Sequence, residues 1–304
     1  MPAPIPSYPA ARPLELSDRE LLQEHFRILQ PAVSELSFAN LFLFRQVHRY
    51  TLASLNDSLV VSGCGYDGRP YVLPPLSGER GETARMLLDM GNTLYGADEQ
   101  FVAEELAGRG YEISSDRDND DYLYLRSELA ELPGNRFHKK KNRINYFTTR
   151  YGYTIEPFSG KHLDPALLLL EEWRKVHDDG QSRSQAAEAA ATREALVHAD
   201  ELGLSGVVVL TERGVSAFAL GEQLNDSTNV CHFEKAEPFL EGVSQLVNRE
   251  YSRSLPEELT WINREQDLGE NGLREAKVSY HPVAMVRKFR VRLAGAGPGD
   301  SDGF

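Results

Sequence analysis

Two stretches of this chain carry side chains that could move a proton or hold a developing charge. The first, TNVCHFEKA at 228–236, has strand-like composition, and a period of two puts Cys231 and Phe233 on one face and His232 and Glu234 on the other. An imidazole beside a carboxylate can act as acid and base, or it can be a satisfied internal pair with no chemistry. The next residues, AEPFLEG, turn into a helix predicted at 240–254, whose first turn contains Glu241 and Gln245, so polar groups gather where a strand ends and a helix begins. The second stretch, INREQDLGENGLREAKVSYHP at 262–282, crowds Asn263, Arg264, Glu265, Asp267, Glu270, Arg274 and Lys277 just past a β-rich run. Gly269 permits a sharp turn, and a short helix then presents Arg274 and Lys277 on one side. Pro282 biases His281 towards extended backbone and closes that helix. Glu270 and Arg274, four apart, also read as a surface pair on a solvated face. Asn263, Arg264 and Asp267 fit that bland reading less well, because they sit where the strand leaves the core.

A third stretch, RFHKKKNRINYFTTR at 136–150, holds Arg136, Lys139, Lys140, Lys141, Arg143 and Arg150 without one acid. The chain as a whole has net charge −13, which argues against coating nucleic acid or an anionic membrane with its entire surface. A local basic patch is compatible with that balance. On a helix the charges spread around several faces, with Ile144 and Phe147 as core contacts, so a solvated helix is one reading. The other is a landing site for nucleic acid, with Lys and Arg on phosphates and Tyr146 placed to stack. The aromatic FANLFLFRQVHRY reads as helix core, since its apolar spacing already accounts for it.

The elements that must position these groups follow from length and pattern. With 304 residues and 41% hydrophobic content the chain can build one large or two small domains. No apolar run approaches the roughly 18 residues that cross a bilayer, and MPAPIPSYPAARP lacks the apolar core of a secretory signal, so the expected location is cytoplasmic. Cys64 and Cys231 suggest buried small hydrophobes; they suggest neither a disulfide framework nor a zinc cluster. Helices are predicted near 18–29, 34–48, 79–94 and 98–108, a hairpin at Asp67 and Gly68, and a strand at DYLYLR before the basic helix. The second half repeats this order loosely: YTIEPF, helices near 163–178 and 184–201, the three strands GLSGVVVL, VSAFALGEQL and TNVCHFEKA, then ELTWIN and AMVRKFRVRL. This implies two α/β units, 16–150 and 151–292, with flexible tails at 1–15 and 293–304.

FANLFLFRQVHRY, LPGNRFHKKKNRINYF, EEW, ALVHADELGLSGVV, CHFEKAEPFLEG and INREQDLGENGLREAKVSYHP together resemble a bacterial family related to the C-terminal catalytic domain of phosphatidylglycerol lysyltransferase. The resemblance spans residues 16–290. It implies an α/β (α+β) fold of two tandem GNAT-like acyltransferase units, with mixed, mainly antiparallel sheets flanked by helices, similar to the peptidoglycan-bridge aminoacyltransferases. It implies acyl transfer to an amine or hydroxyl, with aminoacyl-tRNA as co-substrate, no other cofactor and no metal. On that basis His232, Glu234 or Asp267 would relay the proton, and Asn263, Arg264 or Lys277 would orient the carbonyl or hold its charge. Glu241, Arg274 and Tyr280 complete the expected substrate set, while Arg136, Lys139, Lys140, Lys141 and Arg143 would take the tRNA acceptor arm.

The sequence departs from its relatives in two places. The lysyltransferases carry a membrane-embedded flippase region with no counterpart here, so a lipid acceptor is not supported and a soluble small-molecule or peptide acceptor fits at least as well. Where acetyl-CoA enzymes cradle pyrophosphate with an R/Q-x-x-G-x-G/A loop, EKAEPFLEGVSQL offers Gly242 alone among acids, which weighs against an acyl-CoA donor. An acyl-CoA-dependent N-acyltransferase and a non-catalytic GNAT-like binder remain the alternatives. Of the two units, the second has the richer polar content and is expected to carry the site.

Overall fold

Asn56 and Asp57, at φ 49° and 58°, fold the chain back between β2 (Thr51–Leu55) and β3 (Ser58–Cys64). Asn and Asp tolerate this left-handed backbone, which matches the twist of a hairpin. A computed structural model describes residues 3–177 and 182–295, and the chain divides into two units. The first comprises the chain up to Tyr122, Gln266–Arg274 and the segment from Met285 onward. Its sheet adds β1 (Arg12–Pro13), β4 (Pro70–Val72), β5 (Leu94–Asp98), β6 (Tyr111–Ser115) and the last strand, β14 (Lys288–Leu293), in the order β1-β2-β3-β4-β5-β14-β6. Leu87, Leu88, Leu94, Phe101 and Val291 lie in its buried core.

Three features of this unit differ from the reading of the sequence. The N-terminal segment is pinned, not a free tail: β1 pairs with β2, Tyr8 N donates to Ser54 O at 2.8 Å, and Leu14 is buried. Residues 296–304 of the other expected tail lie outside the described residues. The predicted helix 79–94 ends at Asp89, because Leu94 opens a strand that pairs with β4 and β14. AMVRKFRVRL, assigned to the second unit by its place in the chain, returns instead to the first, where β14 lies antiparallel between β5 and β6. A buried charge accompanies that placement. Lys288 is fully buried at the start of β14, with Nζ 2.5 Å from Glu35 and 2.7 Å from Asp121.

The second unit, Leu123–Glu265 with Glu275–Ala284, carries β8 (Tyr153–Pro157), β9 (Ser205–Thr211), β10 (Gly214–Asn225), β11 (Thr228–Ala236) and β12 (Trp261–Asn263), and its sheet includes β7 (Asp121–Leu125) and β13 (Ala284–Val286), which begin or end just outside its bounds. Their order is β13-β7-β12-β11-β10-β9-β8. The β8/β9, β9/β10, β10/β11 and β7/β12 pairs are antiparallel, whereas β11 and β12 are parallel. The helix Val243–Ser254 buries Val243, Leu246, Val247 and Tyr251, the stripe expected of a helix lying on a sheet. The basic helix His138–Thr148 packs against it and buries Ile144 and Phe147, so the expected boundary near Tyr151 moves upstream to Tyr122. Two mixed, mainly antiparallel sheets flanked by helices are therefore present, one in each unit. Among the described residues no helix is long and apolar enough to cross a membrane.

Candidate functional site

β12 pairs with β11 only from Thr228↔Trp261 to Val230↔Asn263. Past that point β11 continues to Ala236 against β10 alone, so the parallel strands part and leave polar side chains between them. Three devices shape this opening. Leu220 opposes Phe233 and Gly221 opposes Cys231, which makes His232 the extra residue of a bulge and breaks the simple alternation along the strand. Asn263, fully buried, accepts from Glu265 N at 2.8 Å and turns the chain, with Glu265 at φ 57°. Lys277 Nζ donates to Arg264 O, and Tyr124 Oη donates to Lys277 O at 2.7 Å. Asn263 and Lys277, expected to orient a carbonyl, are thus committed to holding the loop that aims Arg264 and Glu265.

His232 and Glu234 do not pair with each other. His232, its side chain 1% exposed, has Nδ1 2.8 Å from Glu265 Oε1 and Nε2 3.0 Å from Glu222 Oε1. Burial alone would lower its pKa, but the two carboxylates outweigh it and raise it to about 10. An imidazolium with both nitrogens occupied cannot take a proton, so His232 is a structural cation at neutral pH. A stability consequence follows. The folded value lies above the ordinary 6.5, so the stabilisation is complete below about pH 6.5 and is lost as pH rises through about 10. Across that window denaturant titrations should show stability falling by up to about 1.4 kcal/mol per pH unit from this group, and His232→Gln should flatten the slope. An unchanged slope in the variant would refute the assignment.

Glu234 sits instead between Arg264 Nη2 at 3.0 Å and Asn248 Nδ2 at 2.9 Å. Burial opposes the charge of Arg264, but the negative charge of Glu234 dominates and keeps the guanidinium ionised. Arg264 also stands 5.1 Å from the Tyr280 ring centre and 5.8 Å from that of Tyr124. Lys140 Nζ lies 3.8 Å over the same Tyr280 ring and 2.6 Å from Ser279 Oγ. Burial, then the positive charges of Arg264 and Arg143, lower the Lys140 pKa to about 8. The Tyr280 hydroxyl is buried without a hydrogen-bond partner, as is Asn248 Oδ1. Burial raises the Tyr280 pKa, so that hydroxyl stays protonated and is a donor with nothing to donate to. Glu234 and Arg143 also border a cavity of about 510 Å³ whose wall includes Trp173, Phe239, Glu241 and Gln245.

Gly242 brings the basic helix to this cavity. At φ 94° it precedes the helix Val243–Ser254, and a Cβ there would lie 2.0 Å from Arg143 O. Only glycine allows so close an approach. The helix itself begins at Val243, so Glu241 stands ahead of it in the turn and not within its first turn as expected.

The remaining expected residues go elsewhere. Asp267 and Arg274 belong to a cluster of the first unit. Asp267 accepts from Tyr122 Oη at 2.5 Å, Arg274 Nε at 2.9 Å and Gly269 N at 2.9 Å, and Arg274 also reaches Asp118 at 2.7 Å. Burial would raise the Asp267 pKa, but the hydrogen bonds from Arg274 and Tyr122 hold it down at about 2. So weak a base with its lone pairs occupied is not a proton acceptor. Of the basic set, Arg143 borders the cavity and Lys140 lies over the Tyr280 ring. Arg136 pairs with Glu128, Lys141 donates to Gly134 O at 3.1 Å, and Lys139 is exposed. Cys231, pushed up to about 12 by burial, is no nucleophile. The sequence reading missed Glu222, Asn248 and Tyr124, and left Glu265 and the Trp173 of EEW without a role. A strand period of two could flag His232 and Glu234, but a bulge and a distant helix chose their partners.

The sequence profile of the family "Phosphatidylglycerol lysyltransferase, C-terminal" matches residues 26–292. A conserved protein of unknown function from Bacteroides thetaiotaomicron is 30% identical, with a TM-score of 0.85 over 93% of this chain and 99% of that one. The C-terminal domain of a putative lysylphosphatidylglycerol synthetase from Agrobacterium fabrum has the same fold at 11% identity, with a TM-score of 0.63 over 92% of this chain and 93% of that one. The L-PGS structure from Bacillus licheniformis matches at 14% identity and a TM-score of 0.62, over 91% of this chain and 92% of that one. No curated protein matches this sequence. The two α/β units, each with a mixed, mainly antiparallel sheet flanked by helices, have the architecture expected from the sequence.

Proposed function

Because the chain belongs to the phosphatidylglycerol lysyltransferase C-terminal family, we propose that it moves an aminoacyl group from aminoacyl-tRNA to an amine or hydroxyl of a small-molecule or peptide acceptor. The site is the cluster where β11 and β12 part. The observation that carries this reading is the buried, unpartnered hydroxyl of Tyr280, whose ring lies against the Lys140 amine and the guanidinium of the Glu234–Arg264 pair. An aminoacyl ester presents an α-ammonium, a carbonyl and a ribose leaving group. Glu234 accepts from the ammonium, and Tyr280 Oη donates to the carbonyl oxygen as it becomes an oxyanion. Lys140, about half neutral near pH 8, takes the proton from the attacking amine or hydroxyl as its lone pair forms the new bond to the carbonyl carbon. The tetrahedral intermediate then collapses, the ester C–O bond breaks, and the Lys140 ammonium returns that proton to the ribose oxygen. The donor ester is already activated, so this sequence of steps calls for no metal and no further cofactor. Glu237 and Glu241 border the cavity and disfavour the pyrophosphate of an acyl-CoA.

The test is a transfer assay with a pool of radiolabelled aminoacyl-tRNAs and a cell extract as acceptor, run across a salt series. Label should pass from at least one aminoacyl-tRNA to an acceptor, and acyl-CoA should not substitute. Lys139→Ala with Lys141→Ala should raise the apparent KM for tRNA at low salt and flatten its salt dependence by about one unit per lost phosphate contact. Transfer from acyl-CoA alone would overturn the donor assignment. A salt slope unchanged in the double variant would remove the basic helix as the landing surface.

A further inference from the structure

Phe239 is 77% exposed, more than any other large hydrophobic side chain among the described residues. A single exposed apolar ring is ordinary on a protein surface. This one differs in its place, because it borders the cavity that Glu234, Arg143 and Trp173 also line. It is also held firmly. Glu237 N donates to Ser216 O at 2.8 Å, Leu240 N donates to Glu237 O at 3.2 Å, Leu240 is buried, and Gly242 is wedged against Arg143 O. Pro238 restricts the turn further. The ring therefore projects from a fixed turn, and its outer face has no protein covering. Pro238 and the buried Leu240 flank it directly, and the acids Glu237 and Glu241 bracket the turn on either side.

Two aromatic side chains, Phe239 and Trp173, one guanidinium and several hydrogen-bonding side chains around a single cavity suit a nucleoside. A base would stack on the Phe239 ring, with Gln245 and Glu241 within the same lining for the ribose hydroxyls and Arg143 for a 5′-phosphate. Arg143 has no carboxylate partner among the described residues, so it is open to an anion. The acids Glu237 and Glu241 exclude phosphate from the other side. The cavity, about 510 Å³, falls within the usual range for small-ligand sites, about 300–1,000 Å³.

We propose that Phe239 is the stacking platform for the terminal nucleoside of the aminoacyl donor, so that this cavity recognises the nucleoside while Glu234 and Tyr280 handle the amino acid. This rests on the aminoacyl-transfer reading above and adds the subsite that separates a nucleotide-borne ester from any other ester. Stacking on an aromatic side chain tolerates any base, so the platform favours the presence of a nucleoside over its identity.

The experiment uses two hydrolysis-resistant probes, an amino acid linked by an amide to 3′-amino-3′-deoxyadenosine and the same amino acid as its simple amide. Binding to the full chain is measured by calorimetry. The nucleoside probe should bind at least about tenfold more tightly than the simple amide. Phe239→Ala should erase most of that advantage, leave the simple amide and the melting temperature unchanged, and Phe239→Trp should restore it. In the transfer assay Phe239→Ala should raise KM for aminoacyl-tRNA with kcat little changed. Equal binding of the nucleoside probe by wild type and Phe239→Ala, or no preference for it in the wild type, overturns the proposal even if transfer proceeds. So does a Phe239→Ala defect confined to the acceptor, which would make the ring a peptide-docking contact. Phe239-dependent nucleoside binding without transfer would preserve the subsite and refute the reaction instead.

Discussion

Tyr280→Phe is expected to lower kcat by about 100- to 1,000-fold while leaving the melting temperature unchanged or slightly raised. The two effects have separate physical causes. Removing a donor that meets the oxyanion only in the transition state costs about that factor, and it appears in kcat more than in KM. Stability responds the other way, since the deleted hydroxyl is buried with no partner and its desolvation is uncompensated in the folded state. Phe keeps the ring beneath Lys140 and Arg264, so both cation–π contacts survive. Steady-state kinetics beside a thermal melt separates a catalytic hydroxyl from a packing one. Full activity in the variant would remove Tyr280 from the chemistry, and a large loss of melting temperature would make it structural.

The largest stability effect should come from the other unit. Lys288→Met leaves Glu35 and Asp121 facing each other in a dry interior, where breaking a buried ion pair typically costs about 3–5 kcal/mol. Burial already raises the Glu35 pKa, and Lys288 is what opposes it. A urea titration should show the midpoint falling with the slope unchanged. Neutralising the cluster together, as Lys288→Met with Glu35→Gln and Asp121→Asn, should recover much of the loss, because like charges no longer share the cavity. A Lys288→Met protein within about 1 kcal/mol of wild type would show that the cluster is solvated in solution, contrary to its burial.

Glu35 and Lys288 are 253 positions apart in the chain, which shows why the cluster escaped a reading of the sequence. Neither residue belongs to a motif, and each alone looks like an ordinary surface charge. The candidate site was more legible. Glu234, Arg264, Lys140, Arg143 and Tyr280 were all named from residue type and position, and the structure draws them into one cluster around β11. Their roles were less legible. His232 was paired with Glu234 on the assumption of an unbroken strand, and one extra residue opposite Leu220 and Gly221 gave it Glu222 and Glu265 instead. Asp267 looked like a base by composition, yet Arg274 and Tyr122 use up its lone pairs.

Local chemistry explains what could be read in advance. Helical spacing, as in Phe38–His48, and the β-branched runs of β9 to β11 act between near neighbours, so the residues themselves declare them. The short strands β5 and β6 have no such pattern of their own and form because partners exist for them. Strand pairing, register and the burial of a charge depend on groups far apart in sequence, whose meeting is decided by which arrangement leaves the fewest polar groups unsatisfied. That is why the second unit's polar richness was evident from composition, while the return of β14, the parting of β11 from β12 and the idle hydroxyl of Tyr280 emerged only once the chain was folded.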